Sequence, residues 1–162
     1  MRLRRDRRLA EIERLYESRR SHFMRVARAI TGDGERASEA VQDAFVNVIR
    51  GRASFRGDAP LEAWVWQAVV NAARKAVRSP LVEVTVANPD AGEVPPTLPE
   101  LAPLVSSLPE RQRLILFLRY YADLDYRAIA AALEIEVGTV SASLAAAHRS
   151  IRRALQEVRA DA

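Results

Sequence analysis

Tyr126-Arg-Ala-Ile-Ala-Ala-Ala-Leu-Glu-Ile-Glu-Val-Gly-Thr-Val140 is the stretch on which the reading of this 162-residue chain turns. Asp125 stands ahead of it as an N-cap for a short helix that ends near Leu133. Glu134-Ile-Glu136 is too short to form an element of its own, and a second helical period runs from Val137 to about Val158. Short helix, tight turn and longer helix make a helix-turn-helix, with Ile129, Leu133, Ile135, Val140 and Leu144 where two crossed helices must pack. Such a unit presents its second helix to a DNA major groove, although an ordinary helical hairpin carries the same pattern.

Upstream, Ser107-Leu-Pro-Glu110 reads as a capping box, serine at the cap and glutamate three residues on, opening a helix from Arg111 to Tyr121. Before it, residues 79–103 hold six prolines and no basic residue, the composition of an extended, semi-rigid tether. A short strand at Val82 to Val86 would lack a partner. The N-terminal half repeats helical spacing three times. Leu9, Ile12, Leu15, Tyr16, Phe23, Val26, Ala27 and Ile30 share one face of a helix that the turn Thr31-Gly-Asp-Gly34 ends. Asp33 can cap the next helix, in which Ala37, Ala40, Val41, Ala44, Phe45, Val48 and Ile49 recur and which Gly51 closes. Pro60 opens a third, running to about Arg78. The expected fold is all-α: two small helical domains, residues 1–78 and 104–162, joined by the tether at 79–103.

Charge narrows the function. The chain carries a net +4, but unevenly: residues 1–78 have 17 basic and 10 acidic side chains, residues 79–110 have none against five, and residues 111–162 have eight against six. Two basic blocks around an acidic joint suit a nucleic acid or an anionic lipid surface as partner. With no cysteine there is no disulfide, thiolate nucleophile or cysteine-ligated metal, and His22 and His148 lie too far apart in sequence to suggest a histidine site. No cluster of nucleophile, base and orienter is visible, so neither catalysis nor a metal or cofactor is expected. No apolar run approaches the roughly 20 residues that span a bilayer, and the arginine-rich start lacks the apolar stretch of a secretory signal, which points to the cytoplasm.

Taken together, these pieces resemble sigma factors of the extracytoplasmic-function type, within the sigma-70 family. Leu108-Pro-Glu-Arg-Gln-Arg-Leu-Ile-Leu-Phe-Leu-Arg-Tyr120, Tyr126-Arg-Ala-Ile-Ala130 and Val137-Gly-Thr-Val140 are similar to the family's C-terminal domain. Leu15-Tyr16-Glu17, Glu39-Ala-Val-Gln-Asp-Ala-Phe45, Phe55-Arg-Gly57, Trp64 and Asn71 are similar to its N-terminal one. The resemblance implies core RNA polymerase and promoter DNA as partners, with an anti-sigma factor as a further candidate. It puts Glu39, Gln42 and Asp43 on the β′ clamp helices and the C-terminal domain on the β flap. From the residues alone, the acidic trio reads equally well as a solvated helix face.

The resemblance also implies that the loop from Phe55 to Leu61 holds an unstacked base and that the following helix meets the minus-ten element. Around that loop, Arg52, Arg56, Arg74, Lys75 and Arg78 are candidate phosphate contacts, and Phe55, Gln67 and Asn71 candidate base contacts. Trp64 falls in register with Val65, Ala68 and Ala72 and is expected in the core; Trp66 faces elsewhere and is a candidate for base stacking, with a structural role equally open. Gln67 and Val70 stand where the family often carries arginine. For the minus-thirty-five element the candidates are Thr139, Ser141, Ser143, His148, Arg149 and Arg152. Here the chain departs from the family. Ser141, Ala142 and Ser143 replace the usual basic and polar run, Ala145 and Ala146 follow, and Glu134 and Glu136 place negative charge where phosphates should approach. The function expected is promoter selection for bacterial RNA polymerase with help in opening the DNA. The rivals are a sigma-like adaptor that binds polymerase or a regulator but reads little DNA, and a free-standing repressor or activator that uses only the helix-turn-helix.

Overall fold

The computed structural model describes residues 2–78 and 101–161, with side chains from residue 7 onward; the strand considered at Val82 to Val86 and nearly all of the proposed tether lie outside them. The described residues form seven helices: α1 (Arg2–Thr31), α2 (Gly34–Gly51), α3 (Leu61–Arg78), α4 (Leu101–Ser106), α5 (Glu110–Tyr120), α6 (Tyr126–Leu133) and α7 (Val137–Ala160). Helices α1 to α3 pack on one another as a bundle, and α5 to α7 make a second unit with α4 laid against α7.

The first turn forms for the expected reason. Gly32 adopts φ 73°, and its N–H bonds the Arg28 carbonyl at 2.8 Å, ending α1 in a left-handed cap that a side chain would strain. Asp33 then accepts a hydrogen bond from the Arg36 N–H at 3.2 Å and starts α2. Phe23 sits at the middle of the bundle, its ring 4.5 Å from that of Trp66 and 5.2 Å from that of Phe45. Ala37, Ala40 and Ala44 line the buried side of α2, where small side chains let helices approach closely.

In the second unit Asp125 caps α6, accepting from the Ala128 N–H at 2.8 Å. Glu134 takes the left-handed cap at φ 54°, and α7 leaves α6 at a bend of 104°. That is the crossing of a helix-turn-helix, with Ile129, Val140 and Leu144 buried at its centre and Leu133 and Ile135 packed at its margin. The expected capping box is absent. The Ser107 hydroxyl donates to the Leu104 carbonyl at 2.7 Å, because the short α4 that precedes it leaves its own last carbonyls unsatisfied, and α5 begins after Pro109 with no side-chain cap.

The two helical units are in contact: α6 lies along α3, α1 touches α5, and the buried residues run on from one unit into the other. The two tryptophans depart from the sequence reading by exchanging roles. Trp66 is wholly buried and Trp64 only half-buried, because the inward stripe of α3 is Val65, Trp66, Val69, Val70 and Ala73 and not the alanine-bearing register of Trp64. No single helix among the described residues is long and apolar enough to cross a membrane.

Truncating a fully buried indole removes its transfer free energy and leaves a cavity, so Trp66→Ala should cost about 3 to 5 kcal/mol of stability. Trp64→Ala should cost much less. Urea unfolding followed by circular dichroism checks both, and similar midpoints for the two variants would contradict the assignment of Trp66 to the core.

Candidate nucleic-acid interface

The loop between α2 and α3 is held from three sides. Gly51 closes α2 against the indole of Trp64, which a β-carbon there would approach to 3.6 Å. Phe55 lies 5.1 Å from Trp64, ring centre to ring centre, in a tilted pair, and both are half-buried. Arg8, from α1, donates one guanidinium nitrogen to the carbonyls of Arg52 (3.1 Å) and Phe55 (2.9 Å) and sets its charge 4.8 Å from the centre of the Phe55 ring. Arg56 is then exposed, and Gly57 turns the chain at φ 84°. Arg52, expected as a phosphate contact, is half-buried. Its guanidinium folds back onto the Ile49 carbonyl at 2.5 Å, and its Nε is buried without a partner.

At the start of α3, Glu62 receives two hydrogen bonds from Arg19 (2.9 and 2.8 Å) and a longer one from the Trp66 indole N–H (3.4 Å). Buried in this way, Trp66 cannot stack on a base; the ring exposed toward the loop is Trp64. Further along α3, Gln67 is half-buried, and Asn71, Lys75 and Arg78 are exposed. Val70 is buried, which accounts for an apolar residue where arginine had been expected. Arg74 does not point freely to solvent either. Its guanidinium grips Glu110 of α5 at 2.7 and 3.3 Å, and that hydrogen bond holds the Glu110 carboxyl below its ordinary pKa.

On the other wall of the bundle, Glu39, Gln42 and Asp43 are exposed on α2. Glu39, Asp43 and Arg50 share one polar groove with Asn71 and Lys75 of α3, so the acidic stripe and part of the basic set face the same trough.

Along α7 the exposed stripe is Ser141, Ala145, Arg149 and Arg152, while Thr139 and Ser143 are half-buried. Ser143 shares a register with buried Ala147 and partly buried Ile151, so it borders the core instead of facing outward. His148 leans away from Arg149 and bonds the Tyr120 hydroxyl at 2.9 Å, lining an apolar groove with Val105 and Phe117. Glu134 and Glu136 stay exposed beside the N-terminus of α7. Sequence reasoning missed Arg8, Glu62 and Glu110. The first was one of many arginines in a basic start, and the others depend on partners about 40 residues away. The tryptophan exchange had a visible signal: valines flank the Trp66 register and alanines that of Trp64.

Comparison with known proteins covers both units. Residues 15–80 match the family Sigma-70 region 2, and residues 100–158 match Sigma-70, region 4. The RNA polymerase sigma-H factor of Pseudomonas aeruginosa is 30% identical over an alignment of 145 residues, with 76% of this chain and 75% of that protein covered. The ECF RNA polymerase sigma-E factor of Escherichia coli is 28% identical over 139 residues, 73% of each chain. Among solved structures, CnrH in complex with the cytosolic domain of CnrY superposes with a TM-score of 0.71 at 19% identity, covering 90% of this chain and 88% of that one. The sigma factor RpoE in complex with the anti-sigma factor NepR from Bartonella quintana gives 0.67 at 16% identity, covering 90% and 97%.

The pair between Arg74 and Glu110 makes a prediction of its own. Glu110→Gln should cost under about 1 kcal/mol, since both groups are partly exposed. It should also release Arg74, steepening the salt dependence of DNA binding by about one phosphate contact. Because the carboxyl's pKa is depressed, the pair contributes at pH above the ordinary glutamate range and is lost as pH falls through the lowered value. Salt titrations of both proteins at neutral pH check it, and identical slopes would contradict it.

Proposed function

The chain belongs to the sigma-70 family, as a sigma factor of the extracytoplasmic-function type, and from that premise we propose how its surface divides the work of directing RNA polymerase to promoters. The observation that supports the reading is the groove between α2 and α3, in which the acidic Glu39 and Asp43 share one trough with Asn71 and Lys75. Glu39, Gln42 and Asp43 dock on the β′ clamp helices, where an exposed acidic stripe inside a basic domain suits a basic partner. Arg56, Asn71, Lys75 and Arg78 meet the melted strand, and the half-buried pair of Phe55 and Trp64 supplies the aromatic surface. Gln67, three residues after Trp64 on α3, adds a half-buried amide. The C-terminal unit reaches the β flap, and Arg149 and Arg152 hold backbone phosphates. The chain carries out no reaction itself; it works in the cytoplasm beside the enzyme that does, and an anti-sigma factor is a further partner.

One observation favours a second reading, the adaptor that reads little DNA. The outward stripe of α7 offers Ser141 and Ala145 where bidentate base recognition needs arginine or lysine. The two readings agree on polymerase docking and differ on DNA.

Reversing the stripe with Glu39→Arg and Asp43→Arg should abolish co-purification with core polymerase while the melting temperature stays within a degree or two, since exposed helix charges contribute little to stability. Retained binding by the folded variant would overturn the docking assignment. Ser141→Lys with Ala145→Arg should raise affinity for DNA upstream of the melted region and steepen its salt slope by about two contacts. Scrambling the upstream element should leave wild-type transcription nearly unchanged, and scrambling the melted region should abolish it. Indifference to both scrambles, with polymerase bound, would establish the adaptor.

A further inference from the structure

We propose that Arg8 is a positioning residue for promoter opening, fixing the loop that receives an unstacked base; this rests on the function proposed above. Arg8 lies on α1 ahead of the segment that matches the sigma-70 family, which begins at residue 15. It therefore acts from outside the part of the chain that the resemblance describes.

The geometry is that of a clasp. Past the end of α2, chain carbonyls have no helical partner, and a cation near a helix C-terminus is favoured by the aligned peptide dipoles. One guanidinium nitrogen of Arg8 bonds two such carbonyls, Arg52 and Phe55, which lie on either side of the turn at residues 53 and 54. The same group sits against the Phe55 ring, which in turn leans on Trp64 of α3. A single side chain thus ties α1 to the backbone of the loop, to its aromatic ring and, through that ring, to the start of α3. The exposed pair of Arg7 and Glu11, one helical turn apart at 3.3 Å, spans the turn of α1 from which Arg8 reaches.

Opening DNA requires a base to leave the stack, at a cost of a few kcal/mol that the receiving surface must offset. A loop that is already ordered loses no further conformational entropy when the base arrives, whereas a loose one does. Arg8 makes its contribution only at that step. It is remote in sequence from the docking stripe on α2, and its bonds go to main-chain oxygens, so it need not touch DNA.

Arg8→Met keeps an unbranched apolar stem and removes both hydrogen bonds and the charge over the ring. With core polymerase on a promoter recovered by wild-type transcription of genomic DNA, this full-length variant should bind core and form closed complexes as the wild type does. Permanganate reactivity of unpaired thymines should appear roughly tenfold more slowly, the size expected from losing a charge-assisted hydrogen bond. On the same promoter carrying a pre-melted, mismatched bubble, the two proteins should transcribe equally. Arg8→Lys, which keeps charge and donors but not the planar stack, should fall between them. If Arg8→Met proves unfolded, the lysine variant decides, by slow opening at an unchanged melting temperature. Opening at the wild-type rate would overturn the proposal, as would an equal loss on duplex and bubble templates, which would mean a role in folding or docking. Failure of the wild type to open any promoter would instead refute the functional reading on which the proposal rests.

Discussion

Burial of the Trp66 indole against Phe23 is the contact on which the rest of this structure depends. It fixes which side of α3 faces inward, and so which side chains α3 has left for other work. The indole N–H and Arg19 both end on Glu62, so the same residue that orients Trp66 also ties α3 to α1. With Val69, Val70 and Ala73 following Trp66 into the core, only Asn71, Lys75 and Arg78 remain exposed as polar groups along that half of the helix. A helix that serves as the strut of a bundle has one free side to give to DNA.

The same constraint explains why α3 was the hardest element to read. Its existence and its ends at Leu61 and Arg78 follow from Pro60 and from helical spacing, as the turn at Gly32 and the caps at Asp33 and Asp125 follow from local chemistry. Which face it buries is marked only by the valines in the Trp66 register, a signal obscured by the second apolar side that carries Trp64, Ala68 and Ala72. Helices α1 and α2 cover part of α3 and α6 covers more, and nothing in a linear pattern announces a contact between segments on opposite sides of an acidic, proline-rich stretch. The helix-turn-helix was legible almost to the residue, since its packing is local. The clasp by Arg8 was not, since its significance lies in two carbonyls, and every residue has a carbonyl.

Electrostatics repeats this division between local and distant. The excess of basic residues in the N-terminal half is plain in the sequence, but the structure assigns much of it to internal tasks. Arg8 and Arg52 bond main-chain oxygens, Arg19 bonds Glu62 and Arg74 bonds Glu110. Exposed basic side chains include Arg56 at the loop tip, Lys75 and Arg78 along α3, and Arg149 and Arg152 on α7. A modest set of contacts at each end suits a protein whose two DNA-facing units act together on one polymerase, where each contact raises the effective concentration of the other. It also suits a recognition helix that presents serine and alanine, which offer little for bidentate contacts to bases.

The most direct measurement is multi-round transcription of genomic DNA by core RNA polymerase with and without the full chain, mapping the 5′ ends of the RNA. The account predicts a discrete set of start sites that appear only when the chain is present and that share a short motif in the region melted around minus ten. The same distribution of 5′ ends with and without the chain would contradict it.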